Sequence, residues 1–154
     1  MMISAEAMGI RVGLIGIGGP NVRSQKLWGL RLNRIKEYVN ERAADDDIVM
    51  HLDGFDTMFF GNETELLSKY QALRDLLGDR VFFNTETACF PPDHHRCFNH
   101  GAAYPSPPPE LETRRRFLNA GCLIGSGRAL RDAFDREIRN DLDDMRWWQE
   151  FHEA

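Results

Sequence analysis

The chain has 154 residues, about the length of one domain. Its composition, with 42% hydrophobic and 28% charged residues, is ordinary for a globular protein. This composition excludes collagen-like, low-complexity and wholly disordered proteins. The formal net charge of −5 argues against nucleic-acid binding through the charge of the whole chain. We therefore expect a single domain over residues 1–154.

The sequence contains no apolar run of the roughly 18 residues that a membrane-spanning helix needs. Its best candidate, Met8 to Gly19, carries Arg11 inside the apolar run. A signal peptide instead places its basic residues before the apolar segment. We therefore predict neither a membrane span nor a targeting segment, and localisation stays open.

The three cysteines, an odd number at irregular spacing, do not form the pattern of a disulfide framework. Free cysteines that pack as small apolar residues are the preferred interpretation. One bridge, Cys89–Cys97, stays open as an alternative.

A polar cluster of zinc-binding residue types lies in the second half of the chain, at His94, His95, Cys97 and His100. It could form a polar loop or a zinc site. Adjacent histidines rarely share one metal, however, and no second pair of suitable spacing follows. The cluster therefore predicts a polar loop rather than zinc binding.

The first half of the chain alternates strand and helix patterns. Ile10 to Ile17 is an apolar, β-branched run that stops at Gly18-Gly19-Pro20, which predicts a buried strand. Helical spacing of apolar residues from Val22 to Arg42 predicts an amphipathic helix. After a polar turn, Ile48 to Leu52 predicts a second buried strand.

The middle of the chain continues the alternation. Asn62 with Glu65 three residues later is a capping pattern, and it predicts a helix that ends at Gly78. A third strand is predicted at Val81 to Phe83. Residues 85–112 contain most of the prolines and fit no element longer than a turn, so we expect a loop or lid there.

The last third predicts one more strand and two helices. Phe117 to Gly125 is apolar, and Ser126 follows it as the N-cap of a helix. Asp141 to Phe151 is an acidic and then aromatic segment that we predict to be helical. Strands alternating with helices predict an α/β fold with a mainly parallel central sheet flanked by helices.

Two carboxylates, Asp53 and Asp56, follow the strand that ends at Leu52. In open α/β sheets ligands bind at the carboxyl ends of strands. Oxygen donors at such a turn suit Mg²⁺ or Mn²⁺, which also take water and phosphate oxygens. A structural turn rich in Asp and Gly is the alternative.

The glycines after the first predicted strand do not form a dinucleotide-binding fingerprint. That motif needs a third glycine two residues after the second, and Asn21 stands at this position. A nicotinamide cofactor is therefore not expected.

Carboxylates also gather before the last predicted helix, at Asp141, Asp143 and Asp144. Acidic residues at a helix N-terminus are favoured by the helix dipole, which is the structural explanation. The functional alternative is a carboxylate pair that binds a sugar hydroxyl or acts as a base.

An ordered series of motifs runs through the chain: Asp53-Gly-Phe-Asp56, Phe82-Phe83-Asn84-Thr85-Glu86, Cys89-Phe90-Pro91, Tyr104-Pro105, Arg116-Phe117-Leu118-Asn119-Ala120-Gly121 and Asp143-Asp144. The series resembles the glycosyltransferase domain of the procollagen lysyl hydroxylases and related collagen-type glycosyltransferases. The resemblance covers about residues 10–151.

The resemblance implies a GT-A fold, a UDP-sugar donor, a hydroxyl-bearing acceptor on a protein or glycan, and Mn²⁺. It assigns the metal to Asp53 and Asp56. Asp143 and Asp144 become the catalytic carboxylates that line the sugar pocket, and Asn119 becomes a substrate-binding residue.

Three further residues are assigned to substrate binding. Gly121 belongs to the same motif as Asn119, and Glu86 ends the Phe-Phe-Asn-Thr-Glu motif. Lys26 comes from a Gln-Lys pair after the first predicted strand that also matches the family.

The chain departs from the family pattern at particular places. Phe90 stands where the family has Trp, and Met145 replaces a Gln after the Asp pair. Family members also have an earlier nucleotide-binding strand and a later metal-binding histidine. We therefore expect the central part of a GT-A domain, incomplete at both ends.

The sequence thus predicts a metal-dependent glycosyltransferase that moves a hexose from a UDP-sugar to a hydroxyl. The alternative is a non-catalytic fragment or remnant of such a domain that acts through a partner, since exposed sheet edges favour association. A metal-dependent hydrolase, which also uses Asp-rich strand ends, is a more distant alternative.

Overall fold

The computed structural model describes residues 2–16, 19–20, 25–54, 57–89 and 117–151. Helices and strands are mixed along the chain, as predicted for an α/β protein. In chain order they are α1 (Met2–Ala7), α2 (Trp28–Arg42), β1 (Ile48–Leu52), α3 (Glu63–Leu77), β2 (Phe82–Glu86), β3 (Phe117–Ser126), α4 (Gly127–Ala133) and α5 (Asp144–Phe151).

These elements belong to two compact units, each with its own buried apolar residues. The first unit contains α1, residues 34–42 of α2, β1, α3, residues 121–126 of β3, and α4. The second contains residues 28–33 of α2, 83–86 of β2, 117–120 of β3, and α5. Buried apolar side chains include Ile35, Val39, Leu123, Leu130 and Phe134 in the first unit and Leu32, Phe117, Leu118, Trp147 and Trp148 in the second.

The sheet of the described residues has three strands in the order β1-β3-β2. β1 and β3 are antiparallel, with Ile48 opposite Ser126 and Leu52 opposite Cys122. The prediction of a mainly parallel sheet is therefore wrong for this pair. An apolar run has the same composition in either direction, and the direction in which two strands pair depends on the long segment that connects them.

The strand predicted at Ile10 to Ile17 is not formed at residues 10–16, and Ile17 lies outside the described residues. Leu14 is 53% exposed and Ile15 is 41% exposed. An apolar run becomes a strand only where a neighbouring strand takes up its backbone hydrogen bonds. The described sheet consists of β1, β3 and β2 alone.

Helix α2 begins at Trp28 and ends at Arg42, its predicted end, whereas residues 22–24 of the predicted helix lie outside the described residues. Lys26, just before it, has a left-handed backbone with φ of 53°, which a continuous helix does not allow. At the other end of α2, the Arg131 guanidinium donates to the carbonyls of Val39 and Ala43 at 3.2 and 3.0 Å. The Val39 carbonyl also accepts the Ala43 N–H at 3.2 Å, so the guanidinium adds a second donor there. The Ala43 carbonyl follows the last helical residue, where a helix leaves acceptors without helical partners.

The helix predicted from the Asn62 cap is confirmed as α3. The side-chain Oδ1 of Asn62 accepts the Glu65 N–H at 3.0 Å, and Gly78 ends the helix with φ of 86°. The cap of the next helix is confirmed too, since Ser126 Oγ accepts the Ala129 N–H at 3.0 Å. Both caps are local interactions that the sequence pattern specifies directly.

The third and fourth predicted strands are confirmed as β2 and β3, displaced by a few residues at their ends. Residues 87–89 are irregular, and the remainder of the predicted loop through residue 112 lies outside the described residues. The helix predicted within Asp141 to Phe151 is α5, which begins at Asp144.

Among the described residues, no helix is both long enough and apolar enough to cross a membrane.

Candidate functional site

Asp53 directly follows β1, at the carboxyl end of that strand. Its backbone N–H donates to the Gly121 carbonyl at 2.8 Å, which continues the pairing of β1 with β3. Its side chain is 42% exposed, and Oδ1 lies 4.0 Å from His51 Nε2. The structure thus brings Asp53 together with Gly121 and leaves the carboxylate accessible, whereas Asp56 lies outside the described residues.

The electrostatic effect of Asp53 is visible at Cys122, the residue opposite Leu52 in the β1–β3 register. Burial raises the pKa of the Cys122 thiol, and the negative charge of Asp53 raises it further. A field that opposes a second negative charge favours a cation at the same place.

The residues after β1 fit a hard divalent cation in the type of their donor atoms. Asp53 offers carboxylate oxygens, which Mg²⁺ and Mn²⁺ prefer over softer donors. Within the described part of the chain, no group of three or more His, Cys, Asp or Glu side chains gathers around a common point. An ion here would therefore complete its coordination with Asp56, water or ligand oxygens.

Asp144, the first residue of α5, is 5% exposed and pairs with the Arg31 guanidinium of α2. Its Oδ1 also accepts the Met145 N–H at 2.9 Å. Burial raises the pKa of Asp144 above its ordinary value, the charge of Arg31 opposes this, and the charge of Asp143 adds to it. This carboxylate is thus occupied by contacts within the chain.

Asp143 caps α5. Its Oδ1 accepts the Arg146 N–H at 2.9 Å and its carbonyl accepts the Trp147 N–H at 3.0 Å. The residue is only partly buried, and it lines a pocket of about 370 Å³. The other residues that line this pocket are Arg139, Asp141, Leu142, Arg146 and Trp147.

The pocket combines charged groups of both signs with an indole ring. Arg139 donates to both oxygens of Asp141, at 3.2 and 2.7 Å from its Nε and Nη2 atoms. Arg146 is exposed, whereas Trp147 is 9% exposed. Carboxylates and guanidinium groups can bind the hydroxyl groups of a polar ligand, and an aromatic ring can contact its apolar face.

Asn119 lies in β3, directly before Ala120. The backbone N–H and carbonyl of Ala120 each contact a side chain from another element. The Ala120 N–H approaches Met145 Sδ at 3.1 Å, and the Ala120 carbonyl accepts from Arg31 Nη2 at 3.4 Å. The strand that carries Asn119 is thereby joined to the first turn of α5, which directly follows Asp143.

Lys26 and Glu86 stand apart from these contacts. Lys26 is exposed just before α2, and Glu86 is the half-buried last residue of β2. Among the described residues that line the pocket beside Asp143, neither is present.

Sequence reasoning missed Arg31. The sequence places it among several basic residues of an amphipathic helix, and nothing distinguishes it there from exposed neighbours such as Arg34. Only its side-chain exposure of 20% and its pairing with Asp144 separate it from them.

The cysteines differ from the preferred prediction of free thiols. Cys89 is disulfide-bonded, so that prediction is wrong for it, whereas Cys122 is a free thiol as expected. Spacing alone could not decide this, because bridging depends on which side chains the fold brings within reach. Cys97 and the histidines at 94, 95 and 100 lie outside the described residues.

An accessible carboxylate at a strand end and a polar pocket with an aromatic wall are typical of proteins that bind a small polar ligand. Residues 1–151 match the family described as PLOD GT domain. The chain therefore belongs to this family, and it is a glycosyltransferase domain of the procollagen lysyl hydroxylase type. The resemblance drawn from the motifs is confirmed.

Individual relatives agree with the family match. The chain is similar to the multifunctional procollagen lysine hydroxylase and glycosyltransferase of Caenorhabditis elegans, at 24% identity over 149 residues, which are 94% of the chain and 19% of that protein. It is also similar to the LH3 form from Homo sapiens, at 32% identity over 127 residues, which are 79% of the chain and 15% of that protein. The chain thus spans about a fifth or less of the length of these relatives.

Proposed function

We propose that the chain takes part in metal-dependent transfer of a hexose from a UDP-sugar to a hydroxyl acceptor. Membership of the PLOD GT domain family supports the reaction class. The observation that carries the proposal is the pocket of about 370 Å³ beside Asp143. Its polar side chains and its indole ring suit a sugar, which presents hydroxyl groups at its edges and an apolar face.

In this proposal Asp53 and Asp56 hold Mn²⁺. The ion, when bound, neutralises charge that develops on the diphosphate leaving group. The accessible side chain of Asp53, at the carboxyl end of β1, supports this assignment. Asp53 itself contributes the carboxylate oxygens, and its backbone is anchored by the hydrogen bond from its N–H to the Gly121 carbonyl.

The two carboxylates at the start of α5 take different parts. Asp143 lines the pocket, and its carboxylate can accept hydrogen bonds from sugar hydroxyls. Asp144 is buried against Arg31 and supports the turn from which Asp143 projects. Orientation of the sugar and stabilisation of developing charge are the main contributions that such residues make to rate.

The remaining substrate-binding residues are proposed from the family resemblance. Asn119 and Glu86 offer amide and carboxylate groups for ligand hydroxyls, and the backbone of Gly121 allows a close approach. Lys26 offers a positive charge to the phosphates. The relatives' names include procollagen lysine hydroxylase and glycosyltransferase, so a hydroxylysine-type acceptor is the proposed one, with a glycan as the alternative.

Metal-dependent binding of UDP tests the proposal. Calorimetric titration of MnCl₂ and then UDP into the wild-type chain should show UDP binding that depends on the metal. Asp53→Asn and Asp56→Asn should each weaken that binding by at least about tenfold, a difference of about 1.4 kcal/mol. Transfer of hexose from UDP-glucose or UDP-galactose is then measured in the same chain with a hydroxylysine peptide.

The matched control is Asp135→Asn, which removes an exposed carboxylate far from β1 in the sequence. Binding that is equally strong in Asp53→Asn, Asp56→Asn and Asp135→Asn would contradict the metal assignment. A wild-type chain that binds neither UDP-glucose nor UDP-galactose in MnCl₂ would overturn the proposed function.

A non-catalytic role through a partner is the second candidate function, and exposed large apolar side chains in the first unit favour it. Leu76 on α3 is 77% exposed, Leu73 is 41% exposed, and Phe60 just before the helix is 85% exposed. Apolar surface of this kind occurs at protein–protein interfaces. If this function is the correct one, sedimentation should show that the chain associates with a partner or with itself. The same chain should then transfer no hexose from UDP-glucose or UDP-galactose.

A further inference from the structure

Three segments of the second unit meet at the Arg31 side chain. Its Nη2 atom pairs with the Asp144 carboxylate at the start of α5 and donates to the Ala120 carbonyl of β3 at 3.4 Å. The side chains of Arg31 and Asp144 are only 20% and 7% exposed. A single guanidinium on α2 therefore connects a strand to a helix start in a mostly dry environment.

A second contact joins the same strand and helix. The Ala120 N–H approaches Met145 Sδ at 3.1 Å, and the Met145 N–H is bound by Asp144 Oδ1 at 2.9 Å. The N–H of Ala120 thus contacts the first turn of α5, and its carbonyl contacts Arg31, which pairs with the same turn. The position of that turn depends on the Arg31–Asp144 pair.

Asp143 immediately precedes this turn and lines the pocket. Its Oδ1 is held by the Arg146 N–H, so its orientation follows the first turn of α5. If Arg31 is removed, the buried carboxylate of Asp144 loses the charge that compensates its desolvation, which is strongly unfavourable. The turn would then shift or take up water, and Asp143 would move with it.

We propose that Arg31 is a positioning residue for the sugar-binding pocket. By pairing with Asp144 and binding the Ala120 carbonyl, it sets the direction of the Asp143 carboxylate without contacting the ligand. The inference rests on the proposed function, because the ligand of the pocket is taken to be the hexose of a UDP-sugar. A planar guanidinium with several donors suits this bridge better than an ammonium does.

The test separates binding of the sugar from binding of the nucleotide. Affinities for UDP, UDP-glucose and UDP-galactose are measured in MnCl₂ with wild type, Arg31→Met, Arg31→Lys and the control Arg34→Met. Arg34 is an exposed arginine of the same helix, paired with Glu37 at 2.7 Å. Affinity for UDP reports the nucleotide, and the ratio of UDP-sugar to UDP affinity reports the sugar pocket.

Arg31→Met should lower that ratio by about tenfold while leaving affinity for UDP within about twofold of wild type. Arg31→Lys should recover part of the ratio, and Arg34→Met should match wild type. The double variant Arg31→Met/Asp144→Asn should be no worse than Arg31→Met, because the two residues act through one contact.

An unchanged ratio in folded Arg31→Met would overturn the positioning role and leave the proposed function intact. Equal losses of UDP and UDP-sugar affinity would also overturn it, since they indicate general destabilisation. If Arg31→Met does not fold, Arg31→Lys and Asp144→Asn decide in the same way. A wild-type chain that binds neither donor would overturn the proposed function itself.

Discussion

At the scale of single residues, Asp144 shows how burial and pairing compete. Burial raises the pKa of its carboxyl and the nearby charge of Arg31 opposes that rise, while Asp143 reinforces it. A folded-state pKa above the unfolded value means that folding favours the protonated form. The resulting stabilisation is fully present below the unfolded pKa, about 3.9, and is lost as pH rises through the folded pKa.

We therefore expect wild type to lose stability relative to Asp144→Asn as pH rises above the unfolded pKa of about 3.9. Urea unfolding at a series of pH values measures the difference in free energy of unfolding. Asp135→Asn, which replaces an exposed carboxylate, should show a smaller dependence on pH. If the wild type instead gains stability relative to Asp144→Asn as pH rises, the pairing of Asp144 with Arg31 outweighs the cost of burying its charge.

At the scale of an element, helix α3 depends on its N-cap. The Asn62 side chain accepts the Glu65 N–H at 3.0 Å, which is one of the donors that a helix start leaves free. Asn62→Ala should lower the free energy of unfolding by about 1 kcal/mol. Asn62→Asp should keep most of the stabilisation from the cap, because aspartate is also a good N-cap residue. Chemical denaturation measures both.

The control for the cap is Ser68→Ala, at an exposed position in the middle of the same helix. Alanine is the better helix former, so this change should not destabilise α3. Equal losses in Asn62→Ala and Ser68→Ala would argue against a capping role.

The first turn of α2 packs closely against the backbone of residues 139–142, and Gly29 makes this close approach possible. The Gly29 N–H donates to the Leu142 carbonyl at 3.1 Å. A Cβ at this position would collide with the Arg139 carbonyl and come within 2.9 Å of Leu142 Cγ. Only glycine allows so close an approach.

Gly29→Ala should therefore lower the free energy of unfolding by about 2 kcal/mol or more, as overpacking does. Gly13→Ala is the matched control, because its Cβ would meet Tyr38 at 3.4 Å, an ordinary contact. Thermal unfolding compares the two, and an unaffected Gly29→Ala would show that the segment around Arg139 moves away freely.

At the scale of the whole molecule, the disulfide at Cys89 constrains the unfolded chain. Reduction should lower the free energy of unfolding by about 2–4 kcal/mol. Urea unfolding with and without dithiothreitol measures this loss. Cys89→Ser should be insensitive to the reductant, whereas Cys122→Ser should keep the sensitivity of wild type, because Cys122 is a free thiol.

Local patterns predicted much of the structure. The Asn62 and Ser126 caps, the stop at Gly78 and the apolar run of β1 each depend on neighbours within a few residues, and the structure confirms them. The motif series also led to the family, which is now shown over residues 1–151. Types of side chain at fixed spacing are properties that a sequence states directly.

Other features were decided by contacts between distant residues. β1 pairs antiparallel to β3, residues 10–16 find no place in the described sheet, and Arg31 pairs with Asp144 rather than with solvent. The sequence by itself determined where the capped helices α3 and α4 begin, which segments are apolar and to which family the chain belongs. Only the tertiary structure decided strand direction, the disulfide at Cys89 and the burial of Asp144, because each depends on which segments the folded chain brings together, and local pattern carries no record of that.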